Sequence, residues 1–190
     1  GGVAARPIEG KRGVLEPDKV EACIRNRDDV HQPITSLICM ENTHNFAGGT
    51  VVLPEQVDAV YAVAKKHGIP MHLDGARIFN AAVALNRTVA ELAKPFSSGQ
   101  LCVSKGLSAP VGSLLVGERA FIEEARHHRK MIGGGMRQCG IIAAAGMVAL
   151  ATMVDRLADD HANATLLATG LSKLDDVEVD LETVQSNMVR

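Results

Sequence analysis

The sequence predicts an α/β protein in which helices flank a mainly parallel sheet. Three observations support this fold class. Short apolar runs of strand type alternate with amphipathic helical stretches, hydrophobic residues make up 46% of the chain, and 190 residues are enough for one domain with a sizeable core. Because strand, helix and strand follow one another, we expect parallel pairing with right-handed crossovers.

The first predicted strand is the apolar run TSLICME at 35–41. The amphipathic segment 53–68 is predicted to be a helix, with Pro54 near its start and Gly68 as its stop. The later elements are predicted in this order: a strand at 69–74, helices at 77–86 and 88–94, a strand at 100–104, a buried apolar segment at 113–117, helices over most of 118–174 and the start of a further strand at 177–183.

Composition and charge argue against several classes of function. The formal net charge is −2 and both signs are mixed along the chain, which disfavours nucleic acid or a membrane surface as a partner. The longest apolar runs are too short to span a bilayer, and no signal-peptide pattern opens the sequence. The four cysteines show neither a zinc-site spacing nor a disulfide framework. We therefore expect core thiols in a cytoplasmic protein that binds a small molecule.

Polar residues follow each predicted strand, where ligands bind in open α/β sheets. The segments are ENTH at 41–44, DGAR at 74–77 and SKG at 104–106. A lysine at a tight turn between apolar segments loses hydration, so Lys105 is a candidate nucleophile toward an aldehyde. Position alone leaves two alternatives open: Asp74 is equally suited to cap the following helix, and Lys105 to extend its amine into solvent.

Asp74 and Lys105 together suggest pyridoxal 5'-phosphate. This cofactor requires a lysine that forms a Schiff base and a carboxylate that faces its pyridine nitrogen. One crossover and one strand separate the two residues, as expected for side chains at neighbouring strand ends. The pair therefore predicts a cofactor site at this edge of the sheet.

Four segments closely resemble the low-specificity L-threonine aldolases, pyridoxal-phosphate enzymes of fold type I, the aspartate-aminotransferase fold. They are ENTHNFAGG at 41–49, HLDGARIFNAAVAL at 72–85, CVSKGLSAPVGSLLVG at 102–117 and RKMIGGGMRQCGIIAAAG at 129–146. The resemblance implies that Lys105 is the Schiff-base lysine, Asp74 the partner of the pyridine nitrogen and Arg77 the partner of the substrate carboxylate.

The resemblance also implies roles for three further basic residues. His31 falls where the family keeps a histidine near the substrate hydroxyl, and a neutral imidazole is a plausible base for that proton. Lys130 and Arg137 match basic residues near the active site, where a neighbouring subunit completes the pocket; Lys130 is assigned to substrate and Arg137 to cofactor. The alternative for His31 is an exposed loop histidine without a role in the site. The alternative for the other two residues is that the chain around 133–138 is a plain connecting loop.

The implied reaction is retro-aldol cleavage of L-threonine or L-allo-threonine to glycine and an aldehyde. Because family members are considerably longer, we expect 1–175 to be part of the cofactor-binding large domain and 176–190 to begin a small C-terminal domain. The family also implies a homotetramer in the full-length protein.

Other functions use the same residues. A β-eliminating lyase or an aminotransferase of this fold would also need Lys105 and Asp74. The His72-x-Asp74 pair suggests a metal hydrolase, although no further ligands stand at fitting spacing. A non-catalytic fragment that serves only in assembly is the remaining alternative.

Overall fold

The computed structural model describes residues 2–190. In this part of the chain the elements are α1 (Pro17–Cys23), β1 (Ile38–Glu41), α2 (Pro54–His67), β2 (Met71–Gly75), α3 (Ile78–Leu85), α4 (Val89–Ala93), β3 (Ser98–Cys102), β4 (Ser113–Gly117), α5 (Arg119–Met131), α6 (Gly140–Thr152), α7 (Leu157–Leu171) and a short 3-10 helix (Leu181–Thr183). Strand and helix alternate through the first half, and helices dominate the second, as the sequence predicts.

The described strands form one sheet in the order β1-β2-β3-β4. The pairs β1–β2 and β2–β3 are parallel, whereas β4 runs antiparallel to β3. The antiparallel pair follows from the short connection at 103–112, which is too short for a crossover. The mainly parallel sheet predicted from the sequence is confirmed.

One face of the sheet is buried against helices, with β1 and the start of β2 on α2 and Leu73 of β2 on α3 and α4. Side chains alternate between the two faces of a strand, and the buried members are Ile38 and Met40 on β1 and Met71 and Leu73 on β2. Ile38, Met40 and Met71 lie in one core cluster with Val60 and other residues of α2. The opposite face carries the polar side chains of the same strands.

Local signals set the ends of α2. Pro54 occupies the first turn, where its missing N–H costs nothing, and the Gln56 side chain accepts a hydrogen bond from Leu53 N at 2.8 Å. Gly68 ends the helix in the left-handed conformation, with φ of 63°. The predicted start and stop are both confirmed.

A second core cluster positions the connection between β3 and β4, here named the lysine turn (residues 103–112). Val103 and Leu107 on either side of Lys105 are buried with Ala149 of α6 and Leu157 of α7. The two apolar residues hold the turn against the helices while the lysine between them reaches the surface.

Two predicted features of the second half are wrong. Residues 177–183 form no strand in the described chain; the Asp180 carboxylate accepts a hydrogen bond from Glu182 N at 3.0 Å and starts the 3-10 helix instead. The segment 113–117 is a strand, but all of its residues are exposed, because the described elements leave β4 uncovered.

Two further details differ from the sequence prediction. β3 begins at Ser98 rather than at residue 100, because Ser98 and Gly99 pair with β2 despite their loop-like composition. Of the four cysteines, Cys102 is buried, whereas Cys39 and Cys139 are exposed and are not core thiols. Cys39 stands on the polar face of β1, where alternation leaves it outside the core.

The last residues contact the loop that follows β1. Gln185 Oε1 accepts a hydrogen bond from Val51 N at 3.0 Å, and Ser186 Oγ donates one to Gly49 O at 2.8 Å. The division into 1–175 and 176–190 stays a prediction.

Within residues 2–190 no single helix has the length and apolar character to cross a membrane. The pair α6 and α7, bent by 72° at the break between them, passes that test together on length and composition alone.

A buried asparagine holds the loop after β1. Asn42 Nδ2 donates to Val52 O at 2.9 Å, and Asn42 Oδ1 accepts from Val52 N at 3.1 Å. Asn42→Ala should therefore lower the free energy of unfolding by about 1–3 kcal/mol, because two buried backbone groups lose their partner. Urea unfolding measures the free energy of unfolding of this variant. Asn45→Ala, at a less buried position in the same loop, is the control and should lose less. Equal losses in the two variants would contradict this role.

Candidate active site

Strand register places a row of polar side chains across the open face of the sheet. Glu41 pairs with Asp74, and Asp74 pairs with Gln100, so the three residues stand side by side on β1, β2 and β3. Residues that are register partners share a face, and all three side chains are half-buried. The row lies at the carboxyl ends of the parallel strands, where the sequence analysis expects a site.

Two donors hold the Asp74 carboxylate. Asp74 Oδ1 accepts hydrogen bonds from Ala76 N at 3.1 Å and from the Gln100 side-chain amide. The N-cap of α3 is Arg77, and no side chain caps that helix end. The alternative of Asp74 as a helix cap is therefore wrong. Its second oxygen, Oδ2, has no hydrogen-bond partner among residues 2–190.

Lys105 lies at the start of the lysine turn, with its amine directed to the strand end. Lys105 Nζ is 2.9 Å from Cys102 Sγ. The same sulfur lies 3.8 Å from Gln100 Oε1 and 3.3 Å from Ser113 Oγ on β4. Although the residue is exposed overall, its amine is held by this contact with Cys102.

A continuous chain of contacts joins the two residues that the sequence singles out. Asp74 bonds to Gln100, Gln100 contacts Cys102, and Cys102 contacts Lys105. The carboxylate and the amine thus belong to one polar cluster on a single face of the sheet. We name these four residues the Asp74–Lys105 chain.

His72 lies one row below Asp74 on the same face. Its Nδ1 atom is 2.8 Å from Ser98 Oγ, so the imidazole bonds to β3 rather than to Asp74. Burial lowers the pKa of His72, and the nearby Asp74 charge opposes that shift. His72 is therefore a neutral structural side chain at pH 7.

Arg77 follows Asp74 closely in the chain and is the N-cap residue of α3. The residue is half-buried, and within residues 2–190 its guanidinium has no hydrogen-bond or ion-pair partner. A partly buried cation without a protein partner gains stabilisation from an anionic ligand. This is the arrangement expected of a carboxylate-binding arginine.

The structure does not bring the remaining predicted residues to the Asp74–Lys105 chain. His31 is exposed in the loop before β1, where its backbone N–H donates to Asp29 Oδ1 at 3.0 Å. Lys130 lies in the last turn of α5 and over Gly135, and Arg137 follows in the exposed loop before α6. The roles of His31, Lys130 and Arg137 stay predictions.

Sequence reasoning missed the two residues that link Asp74 to Lys105. The sequence predicts Gln100 only as part of an apolar strand, and Cys102 only as a core thiol in the same strand. Their spacing of two residues places both on one face of β3, and a glutamine inside an apolar run is the signal for a polar partner.

Clusters suited to metal ions are absent from the described part of the chain. No group of three or more His, Cys, Asp or Glu side chains in residues 2–190 is arranged to hold an ion. Within the described residues, His72 and Asp74 therefore have no further His, Cys, Asp or Glu side chain with which to bind a metal ion.

Comparison with known proteins identifies the family. The profile of the β-eliminating lyases matches residues 1–190. The chain belongs to the β-eliminating lyase family. Among curated relatives, a low-specificity L-threonine aldolase of Arabidopsis thaliana is 44% identical over 191 residues, which cover 100% of this chain and 53% of the relative. A low specificity L-threonine aldolase of Escherichia coli O157:H7 is 43% identical over 190 residues, 55% of its length.

The chain spans about half the length of the curated relatives it matches. A structure from Listeria monocytogenes, described as a candidate L-allo-threonine aldolase, superposes with a TM-score of 0.82 at 21% identity, covering 96% of this chain and 48% of that one. The chain thus has the α/β fold of the large domain of fold type I pyridoxal-phosphate enzymes.

The family is pyridoxal-phosphate-dependent, and the residues of the site fit that cofactor. Its chemistry needs an amine and a carboxylate on one face, and Lys105 and Asp74 supply them. Asp74 Oδ2 is free of protein partners within the described chain, which leaves an oxygen for a protonated ring nitrogen.

The pKa of His72 predicts a loss of stability in acid. Burial lowers this pKa below the unfolded value of 6.5, so the unfolded chain binds the proton first as the pH falls. Stability should be highest above pH 6.5 and fall as the pH drops toward the folded pKa. In His72→Gln, urea unfolding at pH 5 and pH 8 should show a smaller difference than in wild type. An unchanged difference would exclude His72 as a source of the acid sensitivity.

Proposed function

We propose that the full-length protein is a pyridoxal-phosphate-dependent aldehyde-lyase that cleaves L-threonine and L-allo-threonine to glycine and acetaldehyde. The Asp74–Lys105 chain is the observation that carries this proposal, because it brings the required amine and carboxylate to one face of the sheet. The threonine aldolases among the relatives support the reaction type.

When bound, pyridoxal phosphate supplies an electron sink for the electron pair that remains as a bond to the substrate Cα breaks. Lys105 would hold the cofactor through its amine, and Asp74 would hold a proton on the ring nitrogen. Gln100 orients Asp74 by bonding Oδ1, which keeps the negative charge fixed on the polar face. A fixed charge of this kind needs no reorganisation during the reaction.

Arg77 binds the substrate carboxylate in this proposal. Its planar guanidinium forms two parallel hydrogen bonds with a carboxylate and thereby fixes the orientation of the amino acid. Orientation decides which bond to Cα breaks, so Arg77 favours cleavage of the Cα–Cβ bond over loss of the α-proton.

His31 accepts the proton of the substrate hydroxyl in this proposal. Imidazole is a base suited to neutral pH, and the exposed loop position leaves the His31 ring free to meet a substrate. Lys130 and Arg137 complete the site from a neighbouring subunit, with Lys130 on the substrate and Arg137 on the cofactor. Both are exposed in their own chain. The corresponding assembly is a homotetramer.

Product analysis tests the reaction type. The full-length protein with pyridoxal phosphate should release glycine and acetaldehyde from L-threonine and from L-allo-threonine. A β-eliminating lyase would instead release ammonia and a 2-oxo acid, and an aminotransferase would need an acceptor 2-oxo acid. Either of those product patterns would overturn the proposal.

Lys105→Ala should prevent covalent attachment of the cofactor, because the variant lacks the amine. After incubation with pyridoxal phosphate and reduction with borohydride, mass spectrometry should find the modified lysine at position 105 in the wild type and none there in the variant. Lys65→Ala, at an exposed position on α2, serves as the control and should label normally. If the wild type is labelled at Lys130 instead, Lys130 and not Lys105 is the attachment site, and the prediction is wrong.

Arg77→Lys should lower kcat/KM for L-threonine about ten- to a hundredfold. The variant keeps the charge but loses the two-bond geometry, and a charge-assisted hydrogen bond is worth about 1.5–3 kcal/mol. Arg87→Lys, at an exposed arginine that pairs with Glu91, is the matched control.

The defect of Arg77→Lys should follow the carboxylate of the substrate. With L-threonine amide, wild type and variant should both react poorly and differ little. A loss on the amide as large as that on the amino acid would show that Arg77 holds the cofactor or the fold.

A further inference from the structure

The start of α7 contacts both segments that carry the site. Arg156 Nη2 donates to Gly106 O at 3.4 Å, and Gly106 directly follows Lys105. His161 Nε2 lies 3.0 Å from Asn80 Oδ1, and Asn80 is on α3, one turn after Arg77. One helix end therefore touches the lysine turn and the arginine-bearing helix together.

Arg156 and Asp160 form a bidentate ion pair on the first turn of α7. Both N–O distances are 2.9 Å, and the side chains are 38% and 26% exposed, respectively. Arg156 Nε is buried and has no partner in the part of the chain that the structure describes. Asp160 therefore fixes the guanidinium in the orientation from which it reaches Gly106 O.

The lysine turn lies close against α7 at Gly106. A Cβ added at Gly106 would lie 2.6 Å from Leu157 Cδ2, and Leu157 is fully buried. The same Cβ would meet Asp160 Oδ2 at 3.8 Å. A side chain at this position would have to displace the buried Leu157, so the backbone beside Lys105 is packed directly on the turn that carries the ion pair.

The second contact of α7 is buried. Asn80 is 3% exposed and lies in an otherwise apolar helix, so its side chain needs a polar partner. His161 provides that partner, and burial lowers the pKa of His161. Leu157, Asp160 and His161 follow the i, i+3, i+4 spacing of one helix face, which allows the three to act on the site together.

We propose that two pairs, Arg156–Asp160 and His161–Asn80, are positioning residues for the site: the first holds the lysine turn, and the second holds α3 with Arg77. Neither pair touches the predicted substrate or cofactor residues, and each acts through the segment it contacts. The inference rests on the proposed function for its kinetic consequences. Its structural part, that Asp160 holds the lysine turn in place, does not depend on the proposed function.

Asp160→Asn tests the first pair, because it removes the charge and keeps the shape. Hydrogen exchange in the full-length protein without cofactor should become faster at the amides of 103–112 and stay unchanged in α2. Asp159→Asn, an exposed neighbour on the same helix turn, is the matched control and should leave both regions unchanged. Asp160→Glu should restore most of the protection.

Kinetics separate positioning from general stability when kcat is calculated per folded enzyme molecule. In Asp160→Asn, kcat should fall about ten- to a hundredfold with little change in KM, since a displaced reactive group slows reaction on that scale. In His161→Phe, KM should rise, because α3 carries Arg77, whereas His161→Gln keeps a donor for Asn80 and should remain near wild type.

The outcomes distinguish the two proposals. Equal exchange at 103–112 in Asp160→Asn and Asp159→Asn overturns the inference, whatever the enzyme catalyses. A loss of apparent kcat with unchanged KM in both Asp160→Asn and His161→Phe, which disappears when the rate is divided by the folded fraction, also overturns it, because it indicates only a general loss of folded protein. If hydrogen exchange is faster in Asp160→Asn but the wild type releases no glycine from L-threonine, the proposed function is overturned. The inference that Asp160 holds the lysine turn is then still supported.

Discussion

The register between β2 and β3 is the constraint on which the site depends. It sets Asp74 beside Gln100, and from Gln100 the contacts continue through Cys102 to Lys105. A shift by one residue would turn Gln100 to the apolar face and break the chain. The apolar residues on the opposite face, Leu73 of β2 and Leu101 of β3, pack in one core cluster, which prevents that shift. The buried face of the sheet thus determines the chemistry of the open face.

Patterns within short segments allowed much of the fold and the centre of the site to be predicted. Proline and glycine mark the ends of α2, and apolar runs mark the strands, because these signals act within a few residues. Asp74 and Lys105 stand out for the same reason: each is a charged residue directly after an apolar strand. The structure joins them, as that position suggests.

Contacts between distant segments could not be predicted in this way. The link from Arg156 to Gly106 spans fifty residues, and that from His161 to Asn80 spans more, so neither leaves a local pattern. Ser98 and Gly99 have loop-like composition and become strand only by pairing with β2. The 3-10 helix at Leu181–Thr183 forms because an aspartate side chain bonds to the backbone in a segment that otherwise alternates like a strand.

The crossover between β2 and β3 divides into a constrained part and a free part. Its first half carries Arg77 and Asn80, both tied to the site, and α4 at its end packs Leu92 into the core, whereas the stretch 86–88 between them is exposed. Insertions and exchanges of sequence should accumulate in that exposed stretch during evolution. For an engineer, the same stretch is where a tag or a longer loop would disturb the reactive groups least.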